Sequence, residues 1–107
     1  MRSLMLILAL ALPALLARPA SAADVEAVWT KQCASCHGKD GAAETTMGRK
    51  HKIKTMTTEE WQKKNTDSHN KEAILTGVKD TKMKSFKEKL TEADVDALVK
   101  YVRTFKK

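Results

Sequence analysis

Residues 32–38 read QCASCHG, which puts the chain's only two cysteines, Cys33 and Cys36, two residues apart with His37 directly behind them. No other stretch limits what this chain can become so tightly. The spacing is open to a redox dithiol, part of a metal site, a short-loop disulfide or an anchor for haem. The last of these would also give a small chain something to fold around.

The first residues carry one positive charge, Arg2, followed by an apolar run over residues 4–17 broken only by Pro13, then ARPASA with small residues at Ala20 and Ala22. This is the pattern of a secretory signal peptide over residues 1–22, ending in an Ala-x-Ala cleavage site. The run is shorter than the roughly 20 residues that cross a bilayer core, so a retained membrane anchor fits less well. No cysteine near the cleavage point is available to carry a lipid. The expected product is an exported, soluble, periplasmic domain over residues 23–107. Cleavage removes Arg2 and Arg18 but no acid, so the net charge of +7 falls by two and the domain stays basic. A chain of this size buries only about 60–65% of its unfolded surface and commonly needs a staple, a metal or a cofactor.

Helical spacing recurs in four places, and no stretch alternates with a period of two, so the domain is expected to be all-α. From Asp24 as N-cap, Val25, Val28 and Trp29 lead a first helix into Cys33. In MTTEEW, Thr57 with Glu60 reads as a capping box, with Met56 and Trp61 as its staple, opening a short helix to about Lys64. Thr66 or Asp67 caps a third helix through Ile74 and Leu75 that stops at Gly77. The strongest signal is the last. Thr91 with Asp94 forms an acidic capping box, Leu90 and Val95 a staple, and Val95, Leu98, Val99, Val102 and Phe105 one apolar stripe. Two lysine-rich loops, 38–55 and 78–89, are long for connectors in so small a domain. They are expected to surround something.

A zinc site calls for four Cys and His ligands, usually as two pairs, whereas one pair accompanies only the scattered His37, His51 and His69. A thioredoxin-like dithiol calls for a strand before the motif and a βαβ setting that lowers a thiol pKa, and here a helix leads in. A disulfide between Cys33 and Cys36 would close so small a loop that it stabilises little. Haem attachment uses all three residues: both thiols add to the porphyrin vinyl groups, and His37 lies next to the iron as proximal ligand.

With these residues the chain resembles the class I c-type cytochromes over nearly all of residues 23–107. The likeness rests on CASCHG near the start, TKMKSF in the second lysine-rich loop and LTEADVDALVKYVRTFKK as the terminal helix. The resemblance implies about four helices around one covalent haem c, with the terminal helices crossing. It also implies a second axial ligand from a loop methionine ahead of the last helix, and Met83 is the matching position. Family prolines after the motif and after the ligand methionine have no counterpart, since none follows Pro19. The hydrogen-bond partner of the His37 ring is therefore left unassigned. Val25 stands where a small residue is common, and Trp29 fits the aromatic contact to Leu98 and Tyr101. Trp61 could offer its indole N–H to a haem propionate, as a tryptophan does in parts of the family, or simply fill core.

Among residues able to complete an octahedral iron, Met47 lies close behind His37, Met56 has a packing role, and His51 and His69 have polar surroundings. Met83 sits between lysines, with little apolar context to make it core. His37 and Met83 together would leave iron no open position, which points to one-electron transfer and not to an enzyme. Lys39, Lys82, Lys84, Lys87 and Lys89 would frame the haem edge and steer redox partners with acidic docking surfaces, although solvation alone also explains loop lysines. The expected protein is a monomer, and no basic helix with interleaved aromatics argues for nucleic acid. A Met-labile haem protein with peroxidase activity, and a five-coordinate gas-sensing module, are the alternatives.

Overall fold

The C-terminal helix organises the core. It runs Glu92–Arg103 and opens with both halves of the expected box. The Thr91 hydroxyl accepts from Asp94 N–H at 3.1 Å, and the Asp94 carboxylate accepts from Thr91 N–H at 3.1 Å. Its stripe is buried throughout: Val95, Leu98, Val99 and Val102 within the helix, and Phe105 just beyond it. Val95 and Leu98 are almost wholly enclosed, at 0% and 1% exposure. Burying side chains of this size contributes about 1.5–3 kcal/mol each.

The structure is a computed structural model and describes residues 22–107. The signal-peptide reading over residues 1–22 lies outside the described residues except for Ala22. The described residues form six helices and no strand. In chain order these are α1 (Ala22–Gln32), α2 (Ala34–His37), α3 (Thr46–Lys50), α4 (Glu59–Lys64), α5 (Asp67–Thr76) and α6 (Glu92–Arg103). The all-α expectation holds, with two short helices more than the four expected. One is the CASCH turn itself. The other, α3, offers only Met47 as a large apolar residue and is too short to show a period.

Two expected caps are displaced. The described part of the first helix already includes Ala22 and Ala23, ahead of Asp24, so Asp24 lies inside the helix and is not its cap. Asp24 sits in the first turn, where a carboxylate suits the positive end of the helix. At α4 the cap is Thr58, whose hydroxyl accepts from Trp61 N–H, and not Thr57. Thr57 is occupied otherwise: its hydroxyl pairs with Thr55 at 2.8 Å and its carbonyl accepts from Lys107 N–H at 2.9 Å. The Thr57–Glu60 box is therefore not formed. Thr66 caps α5 as expected, and Gly77 ends it with φ +75°.

Helix α1 packs on α6 through Val25 and Trp29, both buried. Val25 is thus accommodated at the contact between the terminal helices. Helices α4 and α5 share the apolar core with α6 through Ile74, Leu75 and Trp61 and are also tied to it by polar groups. The Arg103 guanidinium donates to Asp67 Oδ1 at 2.8 Å, to Gln62 O at 2.9 Å and to Asn65 O at 2.7 Å. Gln62 Nε2 in turn donates to the carbonyls of Met56 and Val102. Lys71 pairs with Asp96 at 2.9 Å, an exposed bridge of the kind worth at most about 1 kcal/mol.

Candidate functional site

The CASCH segment is nearly continuous with α1. Cys33 N–H donates to Trp29 O at 2.9 Å, and the chain then turns into α2 with His37 N–H donating to Cys33 O at 3.0 Å. Both thiols are unpaired. Burial, and secondarily the charge of Cys36, pushes the Cys33 thiol up to about 12. A redox dithiol needs the opposite shift, so this environment argues against that chemistry. Among the described residues no group of three His, Cys, Asp or Glu side chains is placed to hold a bare metal ion.

Three successive carbonyls of the motif are engaged from outside it. Cys36 O accepts from Thr45 Oγ1 at 2.7 Å, His37 O from Ala43 N–H at 2.8 Å, and Gly38 O from Trp29 Nε1 at 2.9 Å. Thr45 also caps α3 by accepting from Gly48 N–H. Thr45 is not marked by any periodic pattern in the sequence. A threonine ahead of TMGRK was the available signal, but a five-residue helix gave it no periodic support.

His37 Nδ1 is the one side-chain polar atom among the described residues that is fully buried without a hydrogen-bond partner. Its enclosure leaves Nε2 as the nitrogen able to reach an iron. Burial also lowers the His37 pKa, which keeps the imidazole neutral with a lone pair to donate. Free thiols at thioether spacing beside a neutral, one-sided imidazole fit covalent haem.

Met83 stands in the loop between α5 and α6, held by main-chain bonds. Val78 N–H donates to Met83 O at 3.0 Å, and Phe86 N–H donates to Ile74 O at 2.9 Å. The Thr81 hydroxyl accepts from Met83 N–H at 3.2 Å. The reversal depends on Gly77, since a Cβ there would approach Met83 O to 2.8 Å and Ser85 N to 2.9 Å. The side chain is half-buried and packs on the core, as do Leu75, Phe86 and Leu90. The expectation that Met83 lacks apolar surroundings is therefore corrected. The flanking lysines hid this contact with the core.

The other ligand candidates are dispersed. Met56 is core, Met47 is 37% exposed on α3, and His69 is exposed on α5. His51 lines a cleft of about 410 Å³ with Asp80, Thr81 and Lys82, next to the Met83 loop. Trp61 is half-buried, packs on the core and lines a second cleft of about 380 Å³ with Lys54, Thr55, Thr58, Glu60, Lys64 and Asn65. Lys39, Lys82, Lys84, Lys87 and Lys89 are all exposed.

Residues 20–102 match the family described as cytochrome C oxidase, cbb3-type, subunit III. Among solved structures, the chain is similar to the KustC0563 c-type cytochrome, at 39% identity and a TM-score of 0.70. That match covers 77% of this chain and 96% of the other. A second similarity, at 23% identity and a TM-score of 0.62, is to a chain of the Kuenenia stuttgartiensis reducing HAO-like protein complex Kustc0457/Kustc0458. It covers 77% of this chain but 41% of that one, and is a likeness of fold alone. No curated protein matches the chain significantly.

Proposed function

The chain belongs to the class I c-type cytochromes, and from that membership we propose that it is a soluble, exported, periplasmic monohaem carrier that moves single electrons between larger redox proteins. When bound, haem supplies the one-electron iron couple. Cys33 and Cys36 hold it by thioether bonds. His37 offers Nε2 as proximal ligand, and the enclosed Nδ1 is the observation that carries this assignment. Met83 would offer its thioether as the second ligand, which would favour the ferrous state and raise the potential relative to a second imidazole. Trp61 serves a propionate from its cleft, with Lys54 and Lys64 supplying positive charge nearby. Were His37 and Met83 both to bind the iron, no coordination site would be left for a substrate, and the role would be carriage and not catalysis.

The sulfur-to-iron charge-transfer band of the oxidised protein tests the ligand pair. It is expected in the wild type and absent in Met83→Ala. A wild type without the band would overturn Met83 as ligand and favour a peroxidase or gas-sensing haem with an open position.

As a monomer, the protein would meet acidic partners through the exposed Lys39, Lys82, Lys84, Lys87 and Lys89. The screening length of about 10 Å at 0.1 M salt sets the test: electron-transfer rates to an acidic partner fall as ionic strength rises. A flat salt dependence would remove steering from the proposal.

A further inference from the structure

A ligating histidine is ordinarily oriented by a hydrogen bond from its other ring nitrogen. His37 has none: Nδ1 is buried without a partner, and the carbonyls of Cys36, His37 and Gly38 each already accept from another group. Without such a bond the imidazole can turn about its Cβ–Cγ axis unless packing stops it. The aromatic ring packed nearest His37 is that of Trp29, with centroids 5.9 Å apart and planes 40° apart. Trp29 is itself immobilised. It is 3% exposed, lies 4.9 Å from the Phe105 ring and 5.8 Å from the Tyr101 ring, and its buried indole N–H is fixed on Gly38 O.

We propose that Trp29 is the positioning residue of the proximal ligand, its N–H clamping the backbone just past His37 while its ring backs the imidazole, in place of a hydrogen bond to Nδ1. The assignment rests on the haem reading above. It goes beyond the helix contact expected of this tryptophan, because that contact with α6 needs the ring and not the N–H. The clamp reaches from α1 across the whole motif to its last carbonyl, so the two thiols and the imidazole are held as one piece. Loss of the N–H would leave Gly38 O with only the Gly41 N–H, at 3.2 Å, and remove the tie between α1 and the segment that carries the ring.

The test uses the full haem-loaded protein, after its mass has shown haem attached. Trp29→Phe keeps an aromatic ring and removes the donor, while Tyr101→Phe perturbs the same aromatic cluster away from His37. In the oxidised protein the four haem methyl proton resonances spread according to the orientation of the axial imidazole. Trp29→Phe is expected to change their spread or order and shift the midpoint potential, whereas Tyr101→Phe leaves the pattern in place even where Tm falls. If Trp29→Phe does not retain haem, β-(3-benzothienyl)alanine at position 29 keeps the shape and replaces N–H by sulfur, and is read identically. A wild-type methyl pattern and potential in the donor-free protein, with only Tm lowered, would overturn the assignment. Absence of covalent haem from the wild type would instead overturn the haem reading on which it rests.

Discussion

Around His37, three consecutive carbonyls are engaged by Thr45, Ala43 and Trp29, and the ring has one nitrogen sealed from solvent. Around Met83, the chain is held by a few loop bonds, a glycine hinge and partial burial, with exposed lysines on either side. The first arrangement is short-range and redundant, because the residues that bind and those that brace them lie within about twenty positions. The second is closed by contacts between α5 and the loop that follows it, and few groups would have to move to open it. The His37 side is thus constructed as a fixed mount, and the Met83 side as a fitted cover.

The contrast breaks most completely at the motif. Replacing both Cys33 and Cys36 by Ala is expected to abolish covalent haem, measured as the loss of the haem mass increment after denaturation, whatever the state of the Met83 loop. Gly77→Ala should act on the cover alone. Its φ of +75° and the approach of the new Cβ to Met83 O predict a cost of about 1–3 kcal/mol. The charge-transfer band should then disappear on heating at lower temperature than in the wild type, while haem stays attached. A band and Tm unchanged by this substitution would show that the loop yields freely. The smallest effect concerns pH. In the folded chain before haem attachment, the Cys33 pKa is raised by burial from 9.0 to about 12. That contribution to stability is intact below pH 9.0 and is lost as pH rises towards 12, whereas thioether-bound Cys33 has no thiol to titrate. Alkylation of Cys33 should remain slow through this window before attachment, and rapid reaction at pH 9 would mean that the mount forms only around the cofactor.

Much of this was legible in the chain. The C-terminal helix announced itself through a capping box, a staple and a complete stripe, each pointing to the same register, and the structure contains the box and the stripe, with Leu90 packed on the core. The motif residues were legible because their spacing has few chemical uses. What escaped reading was set by competition or by distance. Thr57 and Thr58 are equally good caps on paper, and the choice is made by Lys107, whose N–H takes the Thr57 carbonyl from the other end of the chain. The packing of Met83 on the core is invisible in TKMKSF, where lysines flank it on both sides. The engagement of Gly38 by the Trp29 indole left no trace in sequence, since a tryptophan at helical spacing reads equally well as core.

Gly41 lies flat against Phe105, so closely that a Cβ on the glycine would come within 2.6 Å of the ring. Phe105 in turn packs on Trp29, and Lys107 closes onto Thr57. The wall behind the haem motif is therefore finished by residues far along the sequence from the motif itself. Until that distant segment docks, Cys33, Cys36 and His37 lack this backing, so the attachment segment stays accessible and the door closes only when Phe105 reaches Trp29.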